Sequence, residues 1–146
     1  MNVLFICRGN VLRSLIAETY LKSLDIKDVA AISSGTNVNW DDPMEREYFA
    51  NTLSVLDRHG IKSLAKSVPK QLTQTHIENQ DVIVCMNQRV VDEAAKIVVL
   101  PKNVLNWGIV DIGEGSRVDH RNRELYEEEI YQEITAKVNQ LFQLSR

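Results

Sequence analysis

Near the N-terminus, the run Cys7-Arg8-Gly9-Asn10-Val11-Leu12-Arg13-Ser14 puts a thiol, a glycine, a hydroxyl and two cations within one loop's length. Five residues separate Cys7 from Arg13. The residues before them, Asn2 to Ile6, form an apolar run that reads as a buried strand. The residues after them, Arg13 to Leu24, carry Ile16, Ala17, Tyr20, Leu21 and Leu24 at helical spacing. A loop that curls from a strand into a helix N-terminus turns several backbone N–H groups inward. The positive end of the helix dipole reinforces them, so the loop becomes an anion site. Gly9 permits close approach or a positive φ. Arg13 offers a planar fork to two oxygens of a phosphate. The same field stabilises a thiolate on Cys7, and the Ser14 hydroxyl sits where it can hydrogen-bond that thiolate or assist when sulfur leaves. The chemistry so assembled is nucleophilic attack on a phosphate held by Arg8, Gly9, Asn10, Val11, Leu12, Arg13 and Ser14.

Each part has a plainer reading when taken alone. A cysteine that ends an apolar strand is most often an inert core thiol, and an arginine at a helix start is usually solvated. The placement between strand and helix, with Gly9 and Asn10 inside the loop, favours the functional reading. The motif is not a nucleotide P-loop, because the Gly-Lys-Ser/Thr ending is missing. Cys85 serves as a control: Val91 lies six residues on, so no second such loop exists there and Cys85 reads as core. These two cysteines form no CxxC pair, and His59, His76 and His120 do not cluster at ligand spacing, so neither a metal nor a cofactor is expected.

Elements that would position this loop follow along the chain. Val29 to Ser33 reads as a second strand. Pro43 suits the first turn of a helix that runs to about His59, stops at Gly60 and buries Phe49, Leu53 and Leu56. Thr73 is placed to cap a short helix ending near Asn79. Val82 to Cys85 reads as the third strand, followed by a helix bearing Val90, Val91, Ala94 and Ala95. Ile97 to Leu100 reads as the fourth strand. Tyr126, Ile130, Ile134, Val138 and Leu141 then define a closing amphipathic helix. The expected architecture is α/β: a single three-layer domain, residues 1–146, with a four-stranded parallel sheet covered by helices on both faces. Such sheets bind ligands at the carboxyl ends of their strands, which is where Cys7 lies.

Composition narrows the partners. The chain has 146 residues, 44% apolar and 25% charged, with a net charge of −3. That is ordinary for one globular domain and offers no basic stripe for nucleic acid. No run approaches the roughly 18 apolar residues of a membrane span, and Met1 to Cys7 is too short for a secretory leader. A cytoplasmic protein, a monomer without nucleic-acid or membrane partners, is expected.

The loop Cys-x-Gly-Asn-x-x-Arg-Ser after an apolar strand resembles that of the low-molecular-weight protein tyrosine phosphatases. Cys7, Gly9, Asn10, Arg13 and Ser14 all match. The resemblance continues through Ser33-Ser34-Gly35-Thr36, His59-Gly60-Ile61, Gln71-Leu72-Thr73, Asp81 to Met86, Trp107-Gly108-Ile109-Val110-Asp111 and the closing helix, in the family's order. It implies a phosphatase acting on a phosphotyrosine protein or a small aryl phosphate, with no metal. Cys7 is then the nucleophile, Arg13 and the loop amides bind phosphate, and Asp111 is the acid that protonates the leaving phenolate and later the base. Asn10, Ser14 and Ser34 are implied as loop supports, and Trp40 as an aromatic wall of the substrate cleft. Arg8 at the cleft mouth would favour acidic substrates. Read without the resemblance, Asp111 and Ser34 fit turn residues, and Trp40 equally fits surface packing.

The sequence also departs from the family. Val110 and Ile112 replace the prolines that flank the acid, which removes two rigid φ angles. Gly113, Glu114 and Gly115 follow, where many members carry aromatics. Leu12 stands where many carry a second cysteine. No histidine occurs near Ser67, and Ser116 to Arg123 is longer and more polar than usual. Two other readings remain: a non-catalytic oxyanion-binding module, and a thiol-relay arsenate reductase, which would need more cysteines than Cys85 supplies.

Overall fold

The computed structural model describes residues 1–144; Ser145 and Arg146 lie outside the described residues. Four strands form one parallel sheet: β1 (Asn2–Cys7), β2 (Ala30–Gly35), β3 (Val82–Cys85) and β4 (Leu105–Asn106), in the order β2-β1-β3-β4. Five α-helices connect and close them: α1 (Arg13–Ser23), α2 (Pro43–Arg58), α3 (Gln74–Ile77), α4 (Gln88–Ala95) and α5 (Arg123–Leu141).

Alternation along the strands sorts the core into two layers. Val3, Phe5 and Cys7 of β1 point to the face packed by α1, α2 and α5, together with Leu56, Ile130, Ile134 and Val138. Leu4 and Ile6 point to the other face, with Ile83, Cys85, Ile77, Val90 and Ala94. Side chains of successive strand residues take opposite faces, so Cys7 and Cys85 sit on opposite sides of the sheet and both thiols are free.

Helix α1 is buried on all sides from Arg13 to Leu21, not only along the expected stripe. It lies between the sheet and α5, to which Tyr20 Oη donates at Asn139 Oδ1, 2.8 Å away. Helix α2 starts on the Asp42 cap, whose carboxylate accepts from Met44 N, with Pro43 in the first turn as anticipated. Phe49 and Leu56 are buried, and Leu53 is half-buried. On α5, Ile130, Ile134 and Val138 are buried, while the expected ends of the stripe, Tyr126 and Leu141, are only half-covered.

The fourth strand is not Ile97–Leu100 but Leu105–Asn106. Ile97 and Val98 remain in the turn closing α4, their amides on Ala94 O, and Val98 is buried in the core with Leu100 packed against the same cluster. Val99 is exposed, its amide on Gln74 Oε1. A four-residue apolar run carries no period that separates a strand from a helix exit. Strands β1 and β2 shift by one or two residues, β1 including Cys7 and β2 running from Ala30 to Gly35, while β3 spans Val82–Cys85 as expected. No helix among the described residues is long and apolar enough to cross a membrane.

Candidate active site

The segment from Arg8 to Leu12 leaves the carboxyl end of β1 and closes into α1. Asn10 takes a left-handed conformation at φ 56°, which asparagine tolerates better than most residues. Gly35 lets this loop lie against β2, because a Cβ there would meet Arg8 O at 2.7 Å and Asn10 N at 3.0 Å. Backbone bonds from Thr36 N to Cys7 O (3.0 Å) and from Asn37 N to Arg8 O (2.8 Å) fasten the same contact. Thr52 of α2 hydrogen-bonds Val11 O from the other side. No side chain caps the α1 N-terminus, so its first amides stay open to an anion.

A chain of hydrogen bonds orients the thiol. Asn10 Nδ2 donates to Ser14 Oγ (2.6 Å) and to Ser33 Oγ (2.9 Å). Ser33 Oγ donates to the buried Glu18 carboxylate at 2.8 Å. Asn10 Oδ1 accepts from Lys70 N. The Ser14 hydroxyl lies 2.8 Å from Cys7 Sγ and keeps its own proton available for that contact, since Asn10 uses only an acceptor lone pair. Asn10 N adds a second donor to Sγ at 3.2 Å. A hydroxyl and a backbone N–H thus both reach the sulfur.

The bracing partner of Asn10 is therefore Ser33 and not Ser34. Ser33 pairs with Phe5 in the sheet register and Ser34 with Ile6, so the two serines face opposite sides. Ser34 Oγ bonds His76 Nδ1 (2.9 Å) on the α3 side. Lys66 joins the network by donating to Ser33 O at 2.9 Å. Burial lowers its amine to about 8, against the opposing pull of Glu18.

Arg13, almost wholly buried, spans from α1 to the loop after β4. Its Nη1 donates to Ile109 O (3.1 Å) and its Nη2 to Asp111 Oδ2 (3.2 Å). Asp111 Oδ1 accepts from Ile112 N. Cys7, Arg13 and Asp111 thus line one pocket, together with Arg8, Gly9, Val11, Leu12 and Ile112. Arg8 at the mouth is partly exposed and pairs with Glu93 at 3.2 Å.

The mouth also holds residues that the sequence reading missed. Glu45 and Tyr48 of α2 and Arg123 of α5 line the pocket. Glu45 and Tyr48 stand three apart on one helix face, a spacing the sequence displayed without saying what the face met. The Arg123 guanidinium lies 3.7 Å over the Tyr48 ring, a cation–π contact. Tyr48, not Trp40, is the aromatic at the pocket; Trp40 packs edge-on against Phe49 at 5.2 Å, where it finds apolar cover. Glu114 and Asp119 are also engaged elsewhere, with Arg89 and with Arg121.

Glu45 abuts Gly9, where a Cβ would meet its Oε1 at 2.9 Å. Burial, then Asp42 and Asp111, push its carboxyl up from the usual range. Once ionised it repels a bound phosphate; once protonated it does not. Glu45→Gln is expected to tighten competitive inhibition by inorganic phosphate severalfold at neutral pH. The wild-type to mutant ratio of inhibition constants should fall toward one as pH drops through the raised Glu45 range.

Among the described residues, no group of three or more His, Cys, Asp or Glu side chains is arranged to hold a metal ion. Burial pushes the Cys85 thiol up to about 12.

Comparison with known proteins agrees with this geometry. The chain is 32% identical over 91 residues to the low molecular weight phosphotyrosine protein phosphatase of Sus scrofa, a match covering 60% of this chain and 55% of that protein. The match thus spans only about half the length of that relative. Among solved structures, the fold is similar to a low molecular weight phosphotyrosine phosphatase of Vibrio cholerae O395, with a TM-score of 0.75 at 19% identity over 98% of this chain and 95% of the other. It is also similar to a low molecular weight protein tyrosine phosphatase of T. tengcongensis, with a TM-score of 0.74 at 21% identity over 98% of both chains. The family model described as low molecular weight phosphotyrosine protein phosphatase matches residues 2–144, and the chain therefore belongs to that family.

Proposed function

We propose that residues 1–146 act as one catalytic domain that hydrolyses phosphotyrosine or other aryl phosphate monoesters through a cysteinyl-phosphate intermediate. The observation that carries this reading is the buried hydrogen-bond network in which Asn10 donates to Ser33 and Ser14, Ser33 donates to Glu18, and Ser14 meets Cys7 Sγ, with Cys7 opening into a pocket it shares with Arg13 and Asp111.

In the first step the Cys7 thiolate attacks phosphorus and the ester P–O bond breaks. The backbone amides of the loop and the Arg13 fork hold the phosphoryl oxygens as charge builds on them. A bound phosphate takes the Arg13 Nη2 donor that Asp111 Oδ2 now occupies. The released Asp111 carboxylate takes up a proton from solvent and gives it to the leaving phenolate oxygen. In the second step water attacks phosphorus, Asp111 accepts its proton, and the S–P bond breaks to return thiolate and inorganic phosphate. The Ser14 hydroxyl, 2.8 Å from Sγ, donates to and stabilises the departing thiolate.

A thiol relay fits this chain poorly, since Cys85 is buried on the opposite face of the sheet. The non-catalytic module makes the same phosphate-binding prediction and differs in turnover. The test is a series of aryl phosphates of graded leaving-group basicity, with wild type and Asp111→Asn. Asp111→Asn is expected to lose on the order of 10²-fold or more with the most basic leaving group and progressively less with good ones. Phosphate binding without turnover by wild type would favour the module. Turnover unaffected by Asp111→Asn would transfer the acid role, with Glu45 tested first because it lines the pocket.

A further inference from the structure

The segment that carries Asp111 has little regular structure of its own. From Ile109 to Arg117 it contains no proline, and Gly113 and Gly115 take positive φ (91° and 50°). Such a stretch gains no conformational restriction from its own residues. It is nevertheless held at its far end. Arg117 is 6% exposed, and its guanidinium donates to Val110 O, the carbonyl immediately before Asp111. The same guanidinium pairs with Glu133 and lies 3.7 Å from Glu129, both on α5. Gly113 N to Arg117 O (2.6 Å), Arg117 N to Glu114 O (2.8 Å) and Glu114 N to Asp111 O (3.2 Å) close the loop on this residue. Arg13 holds the near end through Ile109 O and Asp111 Oδ2; the tether from Arg89 to Glu114 at 3.2 Å is a half-exposed surface pair of the kind worth little.

We propose that Arg117 is a positioning residue for the reaction: it pins the backbone of Asp111 to α5 and so sets where the carboxyl meets the leaving group. This rests on the proposed role of Asp111 as proton donor. Arg117 does not line the pocket and acts only through Val110 and Asp111. A shift of about an ångström in a group that must meet an oxygen costs up to about 10²-fold. Phosphate held by Cys7, Arg13 and the loop amides is not affected by such a shift.

Arg117→Gln and, on the far side of the clamp, the double variant Glu129→Gln/Glu133→Gln test the proposal. The double variant leaves the loop's own sequence intact. Two measurements are made on each, with Asp111→Asn alongside: amide hydrogen exchange across Ile109–Gly115, and kcat for the graded aryl phosphates. Exchange is expected to rise in that segment only. Turnover is expected to fall about tenfold to a hundredfold with the most basic leaving group, and by less than about twofold or threefold with good ones. Affinity for inorganic phosphate should stay unchanged, and Arg117→Lys should recover part of the loss. General destabilisation would lower the active fraction equally for every substrate. An equal loss across the series, or wild-type exchange in Ile109–Gly115, overturns the proposal. Faster exchange combined with an Asp111→Asn variant that itself shows no leaving-group dependence overturns the role of Asp111 and leaves the clamp standing.

Discussion

Cys7→Ser is expected to lower turnover of an aryl phosphate by at least on the order of 10⁴-fold, while inorganic phosphate binds within about threefold of wild type. The two effects separate because two different parts of the loop cause them. On the proposed mechanism, phosphate affinity comes from the backbone amides between Arg8 and Ser14 and from Arg13, none of which the substitution removes. Turnover needs an ionised nucleophile, and a serine hydroxyl in the same cradle stays protonated. The Ser14 hydroxyl and Asn10 N that now aim at Sγ from 2.8 and 3.2 Å can serve the new oxygen as hydrogen-bond partners, so the loop keeps its shape. Cys85 supplies the internal control. It is buried on the far side of the sheet with its thiol pushed up to about 12. Cys85→Ala is expected to retain turnover, and iodoacetate should alkylate Cys7 alone, with phosphate protecting it. Calorimetric titration with phosphate beside a steady-state assay measures both halves. Normal turnover by Cys7→Ser would sink the mechanism.

Arg13→Lys is expected to reduce kcat/KM by about 10²- to 10³-fold and, unlike Cys7→Ser, to weaken phosphate binding as well. Lysine keeps the charge, so a purely Coulombic role would survive the change. The structure shows two directed bonds that one ammonium cannot replace. Nη1 on Ile109 O fixes the base of the Asp111 loop, and Nη2 faces Asp111 where a phosphate oxygen would bind. A planar fork holds both at once, and an ammonium on a flexible stem does not. Arg13 is also 2% exposed, so the variant leaves the Ile109 carbonyl without its partner at a cost of about 1–3 kcal/mol in stability. A thermal melt read beside the kinetics separates that cost from the catalytic loss. If Arg13→Lys stays within twofold of wild type in phosphate affinity, the fork geometry is not what binds the anion.

Much of this protein is legible without coordinates because its signals are local. A strand, a tight loop and a helix start within fourteen residues specify an anion cradle, since the geometry of a helix N-terminus is set by the chain itself. Strand β3, helix α2 with Pro43 in its first turn and the apolar stripe of α5 follow from period and punctuation. The four residues from Ile97 to Leu100 mislead for the same reason: so short a run has no period to read.

What sequence alone determined was the loop from Cys7 to Ser14 between a strand and a helix start, and the alternation of strands and helices. These depend on neighbours in the chain. Tertiary structure decided everything that needs two distant segments to meet. The sheet register separates Ser33 from Ser34, giving Asn10 the first and His76 the second. Tyr48 enters the pocket and Trp40 does not, because the packing of α2, not residue type, selects the aromatic. Arg13 finds a carbonyl ninety-six residues away, and Arg117 holds the strand exit before Asp111 through glutamates on another helix. A single sequence carries no record of such meetings, since side-chain and backbone groups far apart along the chain pair only after burial forces them to satisfy each other.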